Sequence, residues 1–147
     1  GRGWAEPLLA SLASDGRIAA VSPVLVDPDG SIQEAGATVD ATAHTHPITD
    51  LEAIASVDYA SAACLVVRKS AFEEVGGFDQ RYFPAYFEDV DLAFRWRQSG
   101  WSVRVEPSVR VLHLRGVTDS GGAARRLAAK NMVVFRDRWS SELLSRA

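Results

Sequence analysis

The stretch RIAAVSPVLVDPDG constrains the fold most. It is an apolar run of strand length with no polar alternation to mark a solvated face, and it ends in a tight-turn signal at Asp27, Pro28, Asp29 and Gly30. Such a strand is mostly buried, so other elements must cover the sheet that contains it. SIQEAGATVD reads as the return segment, and VDYASAACLVVRK reads as a second buried strand. Residues 40–56 between them have weak periodicity and read as a loop.

The helical pattern falls elsewhere. In WAEPLLASLASDG, Trp4, Leu8, Leu9 and Leu12 recur at helical spacing before the stop at Gly16. Ser70 and Glu73 match a capping box for a short helix that Gly76 or Gly77 closes. A helix is expected from about Glu88 to Gln98, stopped by Gly100, then two short strands, WSVRVEP and VRVLHLR, and a long helix from about Gly122 to Trp139. The sum is an α/β or α+β chain with at least four strands.

Composition narrows the function classes. With 147 residues, 47% of them hydrophobic, the chain suits one globular domain with a sizeable core. A net charge of -3 gives no reason to expect a nucleic-acid partner. The segment from residue 115 onward is net basic, and Arg125, Arg126 and Lys130 form a cationic stripe opposite Leu127, Ala128, Phe135 and Trp139. The single Cys64 reads as a buried, inert thiol in a reducing compartment. No apolar stretch approaches the length of about 18 residues that spans a bilayer, and the start has no signal-peptide form, so the expectation is a soluble chain. There is no GxGxxG, no phosphate-binding loop and no opening βαβ unit. If the protein handles a nucleotide, part of that machinery lies outside this sequence.

Chemistry concentrates in YFPAYFEDVDLAFRWRQSGW, where Glu88, Asp89 and Asp91 follow a run of aromatics. Carboxylates at a helix N-terminus are stabilised by the free amides there, by roughly 0.3–1 kcal/mol each. Asp91 and Arg95 are spaced for an i, i+4 pair worth about 0.3–0.5 kcal/mol. Against this structural reading stands the apolar setting of Tyr82, Phe83, Tyr86 and Phe87, which disfavours ionisation and suits a general base. Adjacent Glu88 and Asp89 point about 100° apart on a helix, so they cannot share one task; Asp89 lies with Ala93 and Trp96. His113 alternates inward with Val109 and Val111, as a core or edge histidine or a ligand. His44 and His46 lack further ligands at metal spacing and read as solvated residues or substrate contacts.

Taken in order, ASAACLVVRKSAFEEVGGFDQRYFPAYFEDVDLAFRWRQSGWSVRVEPSVRVLHLRG resembles the C-terminal half of the catalytic domain of inverting family-two glycosyltransferases of GT-A fold, especially bacterial rhamnosyltransferase-like members. GWAEPLL is similar to the segment after their metal-binding DxD, and DGSIQEAGATVD to their middle region. The resemblance implies an α/β fold, a partial GT-A mixed sheet flanked by helices. The whole of residues 1–147 would be one acceptor-side portion, lacking the nucleotide-binding half and inactive alone. It implies transfer of a sugar from a nucleotide-sugar donor to a glycan or lipid-linked acceptor, with Asp89 as general base beside Glu88. His113 would ligate a divalent cation (Mg or Mn) together with the family's metal-binding DxD, which should lie before residue 1. Asp79, Tyr82 and Tyr86 would meet the acceptor, while Gly76, Gly77, Asp91 and Arg95 would support the site. The parent would work in the cytoplasm, at the inner membrane face if the cationic stripe meets headgroups. The open sheet edge would favour self-association. A noncatalytic carbohydrate-binding or interaction module on the same scaffold is the alternative; it would need neither Asp89 nor His113.

Overall fold

The computed structural model describes residues 3–114 and 122–146. Its organising element is strand β1 (Ile18–Val26), buried along all but its last residue, as the unbroken apolar run requires. One edge of β1 pairs in parallel with β6 (Ser102–Leu112). Its other edge is shared: β2 (Ile32–Glu34) pairs antiparallel at Leu25 and Val26, and β5 (Val66–Val67) antiparallel at Ala20 and Val21. The result is a mixed four-stranded sheet.

The two short strands expected after Gly100 are one. The register between β1 and β6 slips where Pro23 pairs with Glu106 and Val24 with Arg110. Pro107 sits within that slip; lacking an amide hydrogen, it breaks the sequence pattern while the strand continues past it. The second apolar run, by contrast, yields only the two residues of β5, and Cys64 just before it is half-buried, with burial pushing its thiol up. The region read as loop contains structure. Strands β3 (Ala37–Val39) and β4 (Thr45–Pro47) form a hairpin whose turn is organised by the Asp40 carboxylate, which accepts from Thr42 and His44 amides. A 3-10 turn, Leu51–Ser56, follows with Asp50 as its cap.

Helix α1 (Ala5–Ala13) buries Leu8 against the sheet but leaves Trp4 and Leu9 about half exposed, so its apolar stripe is narrower than the spacing predicts. Helix α2 (Lys69–Glu74) starts two residues earlier than the capping box would set it, and Ser70 lies inside it. Arg68 decides this: its amide bonds the Ala19 carbonyl, and its guanidinium reaches the Ile18 and Leu12 carbonyls, which holds the strand conformation up to the cap. Gly76 and Gly77 close α2 with φ of 79° and 70°, and a Cβ on Gly77 would meet the Phe72 ring at 3.0 Å. Helices α3 (Glu88–Gln98), α4 (Ala123–Arg138) and α5 (Ser140–Leu144) pack over the hairpin. Phe94 stands edge-on to Phe135 and Trp139, with centroids 4.9 and 5.3 Å away.

Gly36 links the two sheets between β2 and β3 with φ of 72°, and a side chain there would run into Val57 and crowd Val105. Gly36→Ala is expected to destabilise the fold by about 1–3 kcal/mol, read as a lowered denaturant midpoint; an unchanged midpoint would show that this junction has slack.

Candidate functional site

The aromatic loop before α3 is held in an unusual shape. Tyr86 and Phe87 both adopt left-handed backbone, with φ of 75° and 72°, which costs non-glycine residues about 1–2 kcal/mol each. Asn131 of α4 offsets that cost. It is fully buried, and its amide nitrogen donates to the carbonyls of Tyr82, Ala85 and Tyr86 at 3.0, 2.8 and 2.9 Å. Sequence reading passed over Asn131. Its signal was a polar residue on the stripe Leu127, Phe135, Trp139, where an unpartnered amide could not be buried.

Asp91 fixes the helix that follows. It is fully buried, and its Oδ1 accepts from the Tyr82 hydroxyl (3.2 Å) and Trp139 Nε1 (2.9 Å), with Arg138 Nη1 at 3.0 Å. Its Oδ2 accepts from Arg95 Nε at 2.7 Å, and Arg95 Nη1 reaches the Val75 carbonyl at the end of α2. The i, i+4 pair is therefore an interior junction rather than the weak surface pair suggested by spacing. Tyr82 belongs to it. Fully buried and bonded to Asp91, this side chain supports the helix, and it borders the recess it shares with Phe83 and Glu88. Asp79 is occupied as well: it caps a 3-10 turn (Gln80–Tyr82) and carries both Arg81 and Arg138, with Arg81 holding its carboxyl well below the usual range.

With loop and helix fixed, the first turn of α3 opens onto a cleft of about 490 Å³ lined by Glu34, Tyr59, Ser61, Tyr86, Glu88 and Asp89. A second recess of about 330 Å³, lined by Phe78, Asp79 and Phe83, meets Glu88 from the other side. Asp89 is half-buried and aimed by two amides: Ala62 N–H bonds Oδ2 at 3.0 Å and Val90 N–H bonds Oδ1 at 2.8 Å. Burial pushes its carboxyl up, and the amides pull in the opposite direction. Burial and then the charge of Asp89 push Glu88 up. A carboxylate so oriented, with its proton affinity raised, can take a proton from a hydroxyl in the cleft. Exposed Tyr86 lines the same cleft. Glu34 and Tyr59 were not expected here. Glu34 accepts from Ser61 N–H at 3.1 Å, and Tyr59 is buried, its phenol pushed up by burial first and then by Asp89 and Glu34.

His113 lies apart from this group, beyond the end of β6. Its Nδ1 is 2.6 Å from Gln33 Oε1, and its amide bonds the Val26 carbonyl. Successive residues of β2 thus serve two places: Glu34 lines the Asp89 cleft and Gln33 contacts His113. A neutral imidazole bonded at one nitrogen suits a divalent cation at the other. Among the described residues no group of three or more His, Cys, Asp or Glu could hold a metal. His44 and His46 are exposed; His46 Nε2 bonds Asp40. Among the described residues no helix is long and apolar enough to cross a membrane.

Asp91→Ala is expected to cost about 3–5 kcal/mol, because it strands Arg95 and Arg138 against a buried gap; denaturant unfolding measures it, and a loss below about 1 kcal/mol would mean that the junction is not structural.

No protein-family model matches the chain. Among curated proteins, the N-acetylglucosaminyl-diphospho-decaprenol L-rhamnosyltransferase of Mycobacterium tuberculosis is 35% identical over 154 aligned residues, covering 92% of this chain and 50% of the relative. The pre-mycofactocin glycosyltransferase of the same organism is 32% identical over 118 residues, 76% of this chain and 24% of that one. The chain therefore spans half or less of the length of these relatives. Among solved structures, GalNAc-T7 with UDP, GalNAc and Mn2+ has a TM-score of 0.69 over 96% of this chain and 31% of that chain, at 18% identity.

Proposed function

Because the chain belongs to the GT-A glycosyltransferases, we propose that it is the acceptor-side part of a transferase that moves a sugar from a nucleotide-sugar donor to a hydroxyl, with inversion at the anomeric carbon. The observation that carries this reading is the Asp89 carboxylate, aimed by two amides into a cleft and raised in proton affinity by burial. Asp89 takes the proton of the acceptor hydroxyl as that oxygen forms its bond to the sugar and the nucleoside diphosphate leaves. Glu88, between the two recesses, accepts hydroxyl hydrogen bonds from the acceptor, and Tyr86 offers a ring for a sugar to stack on. The names of the relatives support a glycan or lipid-linked acceptor.

His113 would contribute one ligand to a divalent cation, alongside the carboxylates of the family's metal-binding DxD. Such an ion offsets the charge that develops on the departing diphosphate. This assignment is supported by the structural neighbour's Mn2+ and by the fit of a singly bonded imidazole. Asp79, tied to two arginines, orients the loop rather than binding the acceptor.

Asp89→Asn is expected to lower turnover of the full-length protein by at least about 10²-fold while leaving its unfolding midpoint close to the parent's. Turnover equal to the parent's would move the base elsewhere, and absence of turnover in both, with retained sugar affinity, would favour a noncatalytic binding module. The raised carboxyl sets the sign of the pH dependence. The base works only when ionised, so kcat/KM should fall as pH drops through an apparent pKa above the ordinary aspartate value, and that limb should vanish in Asp89→Asn. A limb at or below the ordinary aspartate value would contradict the role.

A further inference from the structure

Resting on the reading of His113 as a cation ligand, we propose that Gln33 is its positioning residue, holding the ring in the tautomer with Nδ1 protonated and the Nε2 lone pair free for a divalent cation. Gln33 is 6% exposed, a buried polar side chain at the centre of a three-residue strand. Its amide nitrogen lies 2.9 Å from Asp27 Oδ1 and 3.1 Å from the His113 carbonyl oxygen. A carboxylate and a carbonyl oxygen accept hydrogen bonds, so the nitrogen must face them. That fixes the amide, because the flipped form would set its oxygen against both. Oε1 is then the atom 2.6 Å from His113 Nδ1. An amide oxygen cannot donate, so in the neutral ring Nδ1 carries the proton and Nε2 keeps its lone pair.

The ring is located by its backbone as well, since the His113 amide bonds the Val26 carbonyl at 3.0 Å. Asp27, Gln33 and His113 thus form a chain of contacts from the β1–β2 turn through β2 to the end of β6. A simple staple between strands would be indifferent to the position of the ring proton. A ligand is not, because metal-binding imidazoles donate their second N–H to a fixed acceptor, and loss of that acceptor typically weakens metal affinity by about 10–100-fold.

The test uses the full-length protein with 15N-labelled histidine, at a pH where the ring is neutral, and Mn2+ alone as the probe. NMR is expected to find His113 protonated at Nδ1; protonation at Nε2 overturns the proposal, and this reading needs no variant to fold. Gln33→Leu, shown to be folded by circular dichroism, is expected to lose the tautomer preference and to bind Mn2+ about 10–100-fold more weakly by electron paramagnetic resonance titration. Parental Mn2+ affinity in folded Gln33→Leu overturns it. His113→Ala separates the two levels. If that variant binds Mn2+ like the parent, the cation role of His113 fails and the positioning role fails with it. If it binds weakly while folded Gln33→Leu does not, only the assignment of Gln33 falls.

Discussion

The cleft depends on one buried carboxylate. Asp91 has no exposure and gathers Tyr82 from the aromatic loop, Arg95 from its own helix, and Arg138 and Trp139 from the far end of α4. A charge this deep is tolerable because four donors meet it, two of them cationic. Its consequence is positional. With Asp91 pinned, the first turn of α3 cannot rotate, so Glu88 and Asp89 are held at the cleft and not on a solvated helix face. Asn131 completes the arrangement by holding the loop in a left-handed path that brings the chain into α3 at the required angle.

The second constraint is the strand period. Along β2 the side chains alternate, and that alternation sends Glu34 to the Asp89 cleft and Gln33 to His113. One short strand therefore borders both the place where a hydroxyl would lose its proton and the place where a diphosphate would be neutralised. The bulge between Leu25 and Val26 and the tight turn at Asp27 set where β2 begins, and so which residue faces which way.

Much of this was legible in the chain. The buried β1, the turn at Asp27, the α3 boundaries and the exposed cationic side of α4 follow from apolar runs, turn residues and helical period. What escaped has physical reasons. Pro107 looked like a break between strands because sequence does not reveal a bulge that accommodates a missing amide. Ser70 and Glu73 satisfied a capping pattern, but long-range bonds from Arg68 fixed the helix start first. Tyr82 stands among the acceptor contacts that the resemblance implies, whereas its bond to a carboxylate nine residues away is a tertiary fact. Gln33, Glu34 and Asn131 were legible only as polar residues at buried periods, and the partners that explain them are distant in sequence.

The most direct test of the central claim is the anomeric configuration of the product formed by the full-length protein from a nucleotide sugar that it turns over, read by proton NMR before mutarotation can blur it. Direct attack by a hydroxyl deprotonated at Asp89 predicts a product of opposite anomeric configuration to the donor. Retention would require a different chemistry and would contradict the role given to that carboxylate.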